Sequence, residues 1–157
     1  METVMGKVLV DVRVENFMDL ERVSDGRLAP EQVRTLEIPD ALVDTGAMYL
    51  GLPSRMVQEL GLRPLFKKNV KTTNGTVERT IYGVCRVTIR DRQCHVEAAE
   101  LPDDCPVLIG QLPLEAMDWV VDCANQQLIG NPAHGGKEMY DRPSVSNPRS
   151  VVVGAMK

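Results

Sequence analysis

The chain has 157 residues, 43% of them hydrophobic and 25% charged, which is the composition of one globular domain with its own core and too little chain for two full lobes. A formal net charge of -4, with 18 Lys and Arg spread along the chain and only 4% aromatic residues, argues against a nucleic-acid partner. The apolar runs are all too short to cross a bilayer and the first residues do not read as a signal peptide, so the expectation is a cytoplasmic protein without a membrane partner.

Residues 6–15 place Val8, Val10, Val12 and Val14 on one side of a period-two pattern, which predicts a half-buried strand. Residues 16–30 are polar and contain Asp25-Gly26, so they read as a loop before a second strand over residues 32–38. Pro39-Asp40 predicts a turn into the short β-prone run Ala41-Leu42-Val43, which stops at Asp44-Thr45-Gly46-Ala47. Residues 52–61 have Pro near the start, apolar residues at Leu52, Met56, Val57 and Leu60, and Gly at the end, the pattern of a short amphipathic helix.

Beyond it, residues 67–73 and 76–81 flank Asn74-Gly75, a strong two-residue hairpin signal. Residues 84–89 and 95–101 read as two more strands about the polar turn Arg90-Asp91-Arg92. Val107-Leu108-Ile109-Gly110 is an apolar run, residues 112–117 a short helix, and residues 119–121 and 127–129 a last hairpin. From residue 131 the chain is rich in Pro and Gly, so residues 1–130 are expected to form the domain and residues 131–157 a flexible tail, with Val151 to Val153 able to dock as an extended strand. Cys85, Cys94, Cys105 and Cys123 have irregular spacing and His95 and His134 are isolated, so no metal site and no cofactor is expected. Many short strands and one or two short helices predict a mostly β protein, closed into a small barrel.

The tripeptide Asp44-Thr45-Gly46 decides the functional reading. By itself it is ordinary turn chemistry, with Asp accepting backbone hydrogen bonds and Gly free to take positive φ. Here it follows an apolar strand end and precedes the helix, the Asn-Gly hairpin and the apolar-Gly run in that order. Over residues 6–130 the arrangement resembles the retropepsin-like aspartic proteases, with residues 52–62 closer to the bacterial, single-domain branch than to the viral one. The resemblance implies an acid-protease barrel in which Asp44 is the catalytic acid and Thr45 and Gly46 complete its loop. It further implies a flap tipped by Asn74-Gly75, a supporting strand Leu108-Ile109-Gly110, and a substrate site lined by Ala47, Met48, Thr73, Asn74, Gly75 and Ile109.

The chemistry suits that residue set. Metal-free hydrolysis of a peptide bond needs one group to take a proton from water and another to give one to the leaving amide. Two neighbouring carboxylates do both, because they do not readily ionise together and so share a proton. The chain contains one Asp-Thr-Gly, so the second carboxylate must come from a second copy, and the expected protein is a homodimeric endopeptidase acting on extended polypeptides. Viral members commonly carry an acidic residue after the Asp-Thr-Gly-Ala and an Arg after the Ile-Gly, where this chain has Met48 and Gln111. Loss of both partners together is what a lost ion pair predicts. It leaves a second function open, a dimeric peptide- or protein-binding module that keeps the fold without cutting.

Overall fold

A computed structural model describes residues 7–72 and 74–137. Strand β1 (Val8–Asn16) turns Val8, Val10, Val12 and Val14 inward, as the alternation predicts, and runs antiparallel to β2 (Thr35–Val43). The expected break at Pro39-Asp40 is instead a bulge inside β2. The register passes from Val10 opposite Ala41 to Val12 opposite Ile38, so Pro39 and Asp40 stand against Asp11, and the one extra residue is taken up with Asp40 at a φ of 56°.

The stretch expected to be a loop contains α1 (Phe17–Ser24) and a 3-10 turn (Pro30–Gln32). Asn16 caps the helix by accepting the Asp19 N–H at 3.0 Å, and its Nδ2 donates to the Leu60 carbonyl at 2.7 Å. A residue type common in loops is here an N-cap, buried where it ties α1 to the chain after α2. Asp19 is the anchor of the same corner. Its side chain is 2% exposed and accepts from Arg34 Nε at 2.8 Å, Nη2 at 2.9 Å and the Arg34 backbone N–H at 3.0 Å.

Strand β3 (Leu50–Pro53) occupies residues expected to precede or begin the helix, and α2 (Ser54–Glu59) is correspondingly shorter. Four consecutive buried residues give β3 no alternation to read, because both of its faces are covered. Strand β4 (Arg63–Thr72) and the fifteen-residue β5 (Gly75–Ile89) form one long hairpin, and β6 (Arg92–Leu101) follows after the two-residue turn Arg90-Asp91. The two strands expected over 76–81 and 84–89 are thus one. Residues 75–83 pair with β4, residues 81–89 with β6 across a register shift between Tyr82 and Cys85, and residues 85–88 with β1.

The remaining elements are β7 (Leu108–Ile109), α3 (Gln111–Ala116), and the hairpin of β8 (Trp119–Asp122) and β9 (Gln127–Gly130). In the main sheet the order is β1-β2-β7-β3-β6-β5-β4, and the extra pairing of β1 with β5 closes a ring through six strands with β4 outside it. The mostly β expectation is met in this form. Inside the ring Val43, Leu50, Ala98 and Ile109 occupy one cross-strand row and are buried with the β1 valines, Leu114 and Met117. Each large side chain so buried contributes about 2 kcal/mol. Cys85 belongs to this core, and burial pushes its thiol up to about 12, so it acts as a small apolar residue.

Arg92, expected in a polar turn, is buried. Its guanidinium lies 4.1 Å from the centre of the Trp119 ring and donates to the carbonyls of Met117 at 3.0 Å, Asp118 at 2.7 Å and Gly136 at 2.7 Å. The last contact belongs to the segment expected to be a tail, whose first residues form a 3-10 turn (Pro132–His134) with His134 Nδ1 2.7 Å from Asp118 Oδ2. Residues 138–157, with Val151 to Val153, lie outside the described residues. No helix among the described residues is long and apolar enough to cross a membrane.

Two expectations follow. A chain ended after Gly130, deprived of the Gly136 acceptor and of His134, should melt about 5 °C lower by calorimetry than one ended after Lys137. The hydrogen bond from Arg34 holds the Asp19 carboxyl below its ordinary value, so its stabilisation is full above about pH 4 and is lost as pH falls through the lower folded value. Asp19→Ala should therefore cost about 2 kcal/mol in urea melts at neutral pH and a smaller amount at about pH 2.

Candidate active site

The site begins where β2 ends. Leu42 donates to the Val107 carbonyl and Asp44 to the Ile109 carbonyl, both at 2.9 Å, so the parallel neighbour β7 holds the backbone of Asp44 on both sides of Val43. The chain then turns back on itself. The Ala47 N–H donates to the Asp44 carbonyl at 3.1 Å, and the Gly46 N–H donates to Asp44 Oδ1 at 2.9 Å, which fixes one carboxylate oxygen against its own loop. Among the described residues the second oxygen, Oδ2, has no hydrogen-bond partner, and Asp44 is half-buried between the exposed Thr45 and Gly46 and the core.

The loop is locked from its other end by the start of α3. Gln111 donates to the Ala47 carbonyl at 2.8 Å and Leu112 to the Met48 carbonyl at 2.9 Å. Gly110 makes this possible, because a Cβ there would lie 2.3 Å from the Tyr49 carbonyl oxygen and 2.8 Å from that of Ala47. The apolar-Gly run is therefore core and clamp together, with Ile109 in the interior and Gly110 against the site loop.

The expected site residues divide accordingly. Asp44, Thr45, Gly46, Ala47 and Met48 form one loop, and Met48 is 54% exposed beside Leu112 at 44%. Ile109 is fully buried and offers the loop its carbonyl; the side chain that faces outward is that of Leu108, in a cross-strand row with Leu9 and Leu42. Asn74 and Gly75 lie at the tip of the β4–β5 hairpin, where Gly75 takes a φ of 105° and Thr72 Oγ1 donates to its carbonyl at 2.8 Å. Thr73 lies outside the described residues. Gln111, in the place of a viral Arg, donates to Glu115 of its own helix at 2.9 Å.

The sequence reading missed Tyr49, and it took Leu108 only as part of the supporting apolar run. Tyr49 is 9% exposed, packs with Ile81, Ala99 and Val70 beneath the hairpin, and its hydroxyl accepts from Lys68 Nζ at 3.1 Å. One side chain thus joins the hairpin to the loop that carries Asp44. The alternation Leu108-out, Ile109-in was available in principle, but a two-residue strand shows no period.

With this geometry the family assignment has a structural basis. Residues 37–115, half of the chain, match the family described as "gag-polyprotein putative aspartyl protease", and the chain belongs to that family. The match takes in the Asp44 loop, the hairpin and β7 through α3, the pieces that meet at the site. No curated protein sequence matches the chain.

The clamp is testable. Gly110→Ala should cost about 3 kcal/mol and broaden or shift the amide resonances of Gly46, Ala47 and Met48, while a wild-type melting temperature with unchanged resonances would show that the loop does not depend on this approach.

Proposed function

We propose that the protein is a homodimeric aspartic endopeptidase whose reaction runs between two Asp44 carboxylates, one from each chain. The observation that carries the reading is the Asp44 loop itself, a carboxylate with one oxygen fixed by its own Gly46 N–H and its backbone clamped to the Ile109 carbonyl. Family membership supports a protease of the aspartic class, and the single Asp-Thr-Gly of the chain supports a site completed by a second copy. Met48 and Leu112, exposed and apolar beside the loop, are suited to burial against that copy.

In this reading one Asp44 is ionised and the other protonated when substrate binds. The ionised carboxylate takes a proton from a water held between the two, and the oxygen of that water attacks the scissile carbonyl carbon. The protonated carboxyl gives its proton to the carbonyl oxygen, forming a neutral tetrahedral diol. Collapse of the diol breaks the C–N bond, the departing nitrogen takes a proton from the carboxyl that had received one, and the other carboxylate recovers the proton released by the diol hydroxyl. The two carboxyl groups end as they began. In the same reading the exposed Thr45 bonds its counterpart in the partner, and Leu9, Leu42 and Leu108 form an apolar row suited to substrate side chains of the same character.

Asp44→Asn keeps the shape and the Gly46 hydrogen bond but can neither take the water proton nor share one. Hydrolysis of casein at mildly acidic pH should fall at least about a thousandfold with the melting temperature retained. Mixing wild-type chain with an excess of Asp44→Asn chain, once exchange of subunits is confirmed, should remove activity faster than dilution does, because most wild-type chains then sit beside an amide. Activity proportional to wild-type chain at every ratio would mean that each chain has a complete site. Peptide binding without hydrolysis by the wild-type chain would favour a binding module.

A further inference from the structure

The β4–β5 hairpin has two faces, and the one turned toward Tyr49 carries an unusual pair. Phe66, Lys68 and Val70 of β4 stand opposite Ile81, Arg79 and Val77 of β5, so all six share one face. Ile81 and Val70 pack with Tyr49 and Ala99, which identifies this face as the one that meets the chain just after the Asp44 loop. Between these apolar pairs, Lys68 lies directly opposite Arg79. Like charges in register repel one another. Among the described residues no carboxylate pairs with either, and the acidic neighbour Glu78 stands opposite Asn69 on the other face.

Tyr49 holds Lys68 in place. The ammonium lies 3.1 Å from the Tyr49 hydroxyl and 5.5 Å from the ring centre, an arrangement that uses one of its three donors. The Arg79 guanidinium stands on the same face of the hairpin, the one that packs with Tyr49. In a chain of net charge -4, two cations set together on an otherwise apolar face cost stability, and a carboxylate brought by a bound chain removes that cost.

We propose that Lys68 and Arg79 form a subsite for a carboxylate side chain, so that the protein selects extended polypeptides carrying Asp or Glu at a fixed distance from an apolar segment. This rests on the hairpin covering a bound polypeptide, as in the proposed function, and adds the chemical class of the chain that it takes. Phe66 and Val70 on either side of Lys68 contact the apolar neighbours of the acidic residue.

The test separates recognition from cleavage by using the Asp44→Asn chain. Fluorescent peptides with a Leu-Phe centre and a single Glu, or the matched Gln, at each flanking position in turn are titrated and followed by anisotropy. At one position the Glu peptide should bind about fivefold more tightly than its Gln partner, and the preference should weaken with added salt. Lys68→Met in the same background should bring the ratio to within about twofold of unity. The double variant Lys68→Glu, Arg79→Glu, shown by circular dichroism to be folded, should prefer peptides with Lys at that position. Binding of none of the peptides, equal binding of Glu and Gln members at every position, or a Glu preference that survives Lys68→Met overturns the proposal. Glu-selective binding with no hydrolysis by the wild-type chain upholds the subsite and overturns the protease reading instead.

Discussion

Two residues of β7 set between β2 and β3 govern the rest of the structure. By pairing parallel to the end of β2 and antiparallel to β3, Leu108 and Ile109 bring together segments some sixty residues apart in the chain and close the ring on that side. The Ile109 carbonyl takes the Asp44 N–H, and the next residue, Gly110, admits the carbonyls of Ala47 and Tyr49 within a distance that no Cβ allows. A carboxylate on a free loop would pay to become ordered at each encounter with substrate. Here that cost is met in folding, by the same strand that fills the core with Ile109.

The hairpin is tied to this centre by side chains and by the long strand it shares with the ring. Strand β5 belongs to both, pairing with β1 and β6 within the ring and with β4, which lies outside it. Tyr49 bridges the two parts, buried against Ile81 and Ala99 while its hydroxyl meets Lys68. The far corner has a similar economy of parts. Asn16 and Asp19 serve β1, α1, the chain after α2 and the approach to β2 through a few charged or buried hydrogen bonds, which are worth more in that partly desolvated setting than on an open surface.

Elements with one wet face were legible in the sequence. The β1 valines alternate because every second residue meets water, and Asn74-Gly75 marks the β4–β5 turn to within one residue, Gly75 itself opening β5 opposite Thr72. The misread elements fail for identifiable reasons. In β3 both faces are covered, so nothing alternates. In α1 the cap Asn16 resembles a loop residue until its partners at Asp19 and Leu60 are known. Arg92, flanked by Arg90 and Asp91, looks like turn surface, yet its guanidinium satisfies three carbonyls from the other end of the chain, a burial that local polarity cannot foretell.

The candidate site shows the same division. The Asp-Thr-Gly loop, its apolar approach, the Asn-Gly hairpin and the apolar-Gly run are local patterns, and their order along the chain was enough to reach the aspartyl protease family. Local sequence carries such features because turn geometry and strand period depend on neighbours a few residues away. Which side chain of Leu108 and Ile109 faces outward, that Tyr49 lies under the hairpin, and that Lys68 stands opposite Arg79 depend on strand register and on contacts between distant segments. A one-residue change of register would reverse every one of these facings, so they were decided only when the ring closed.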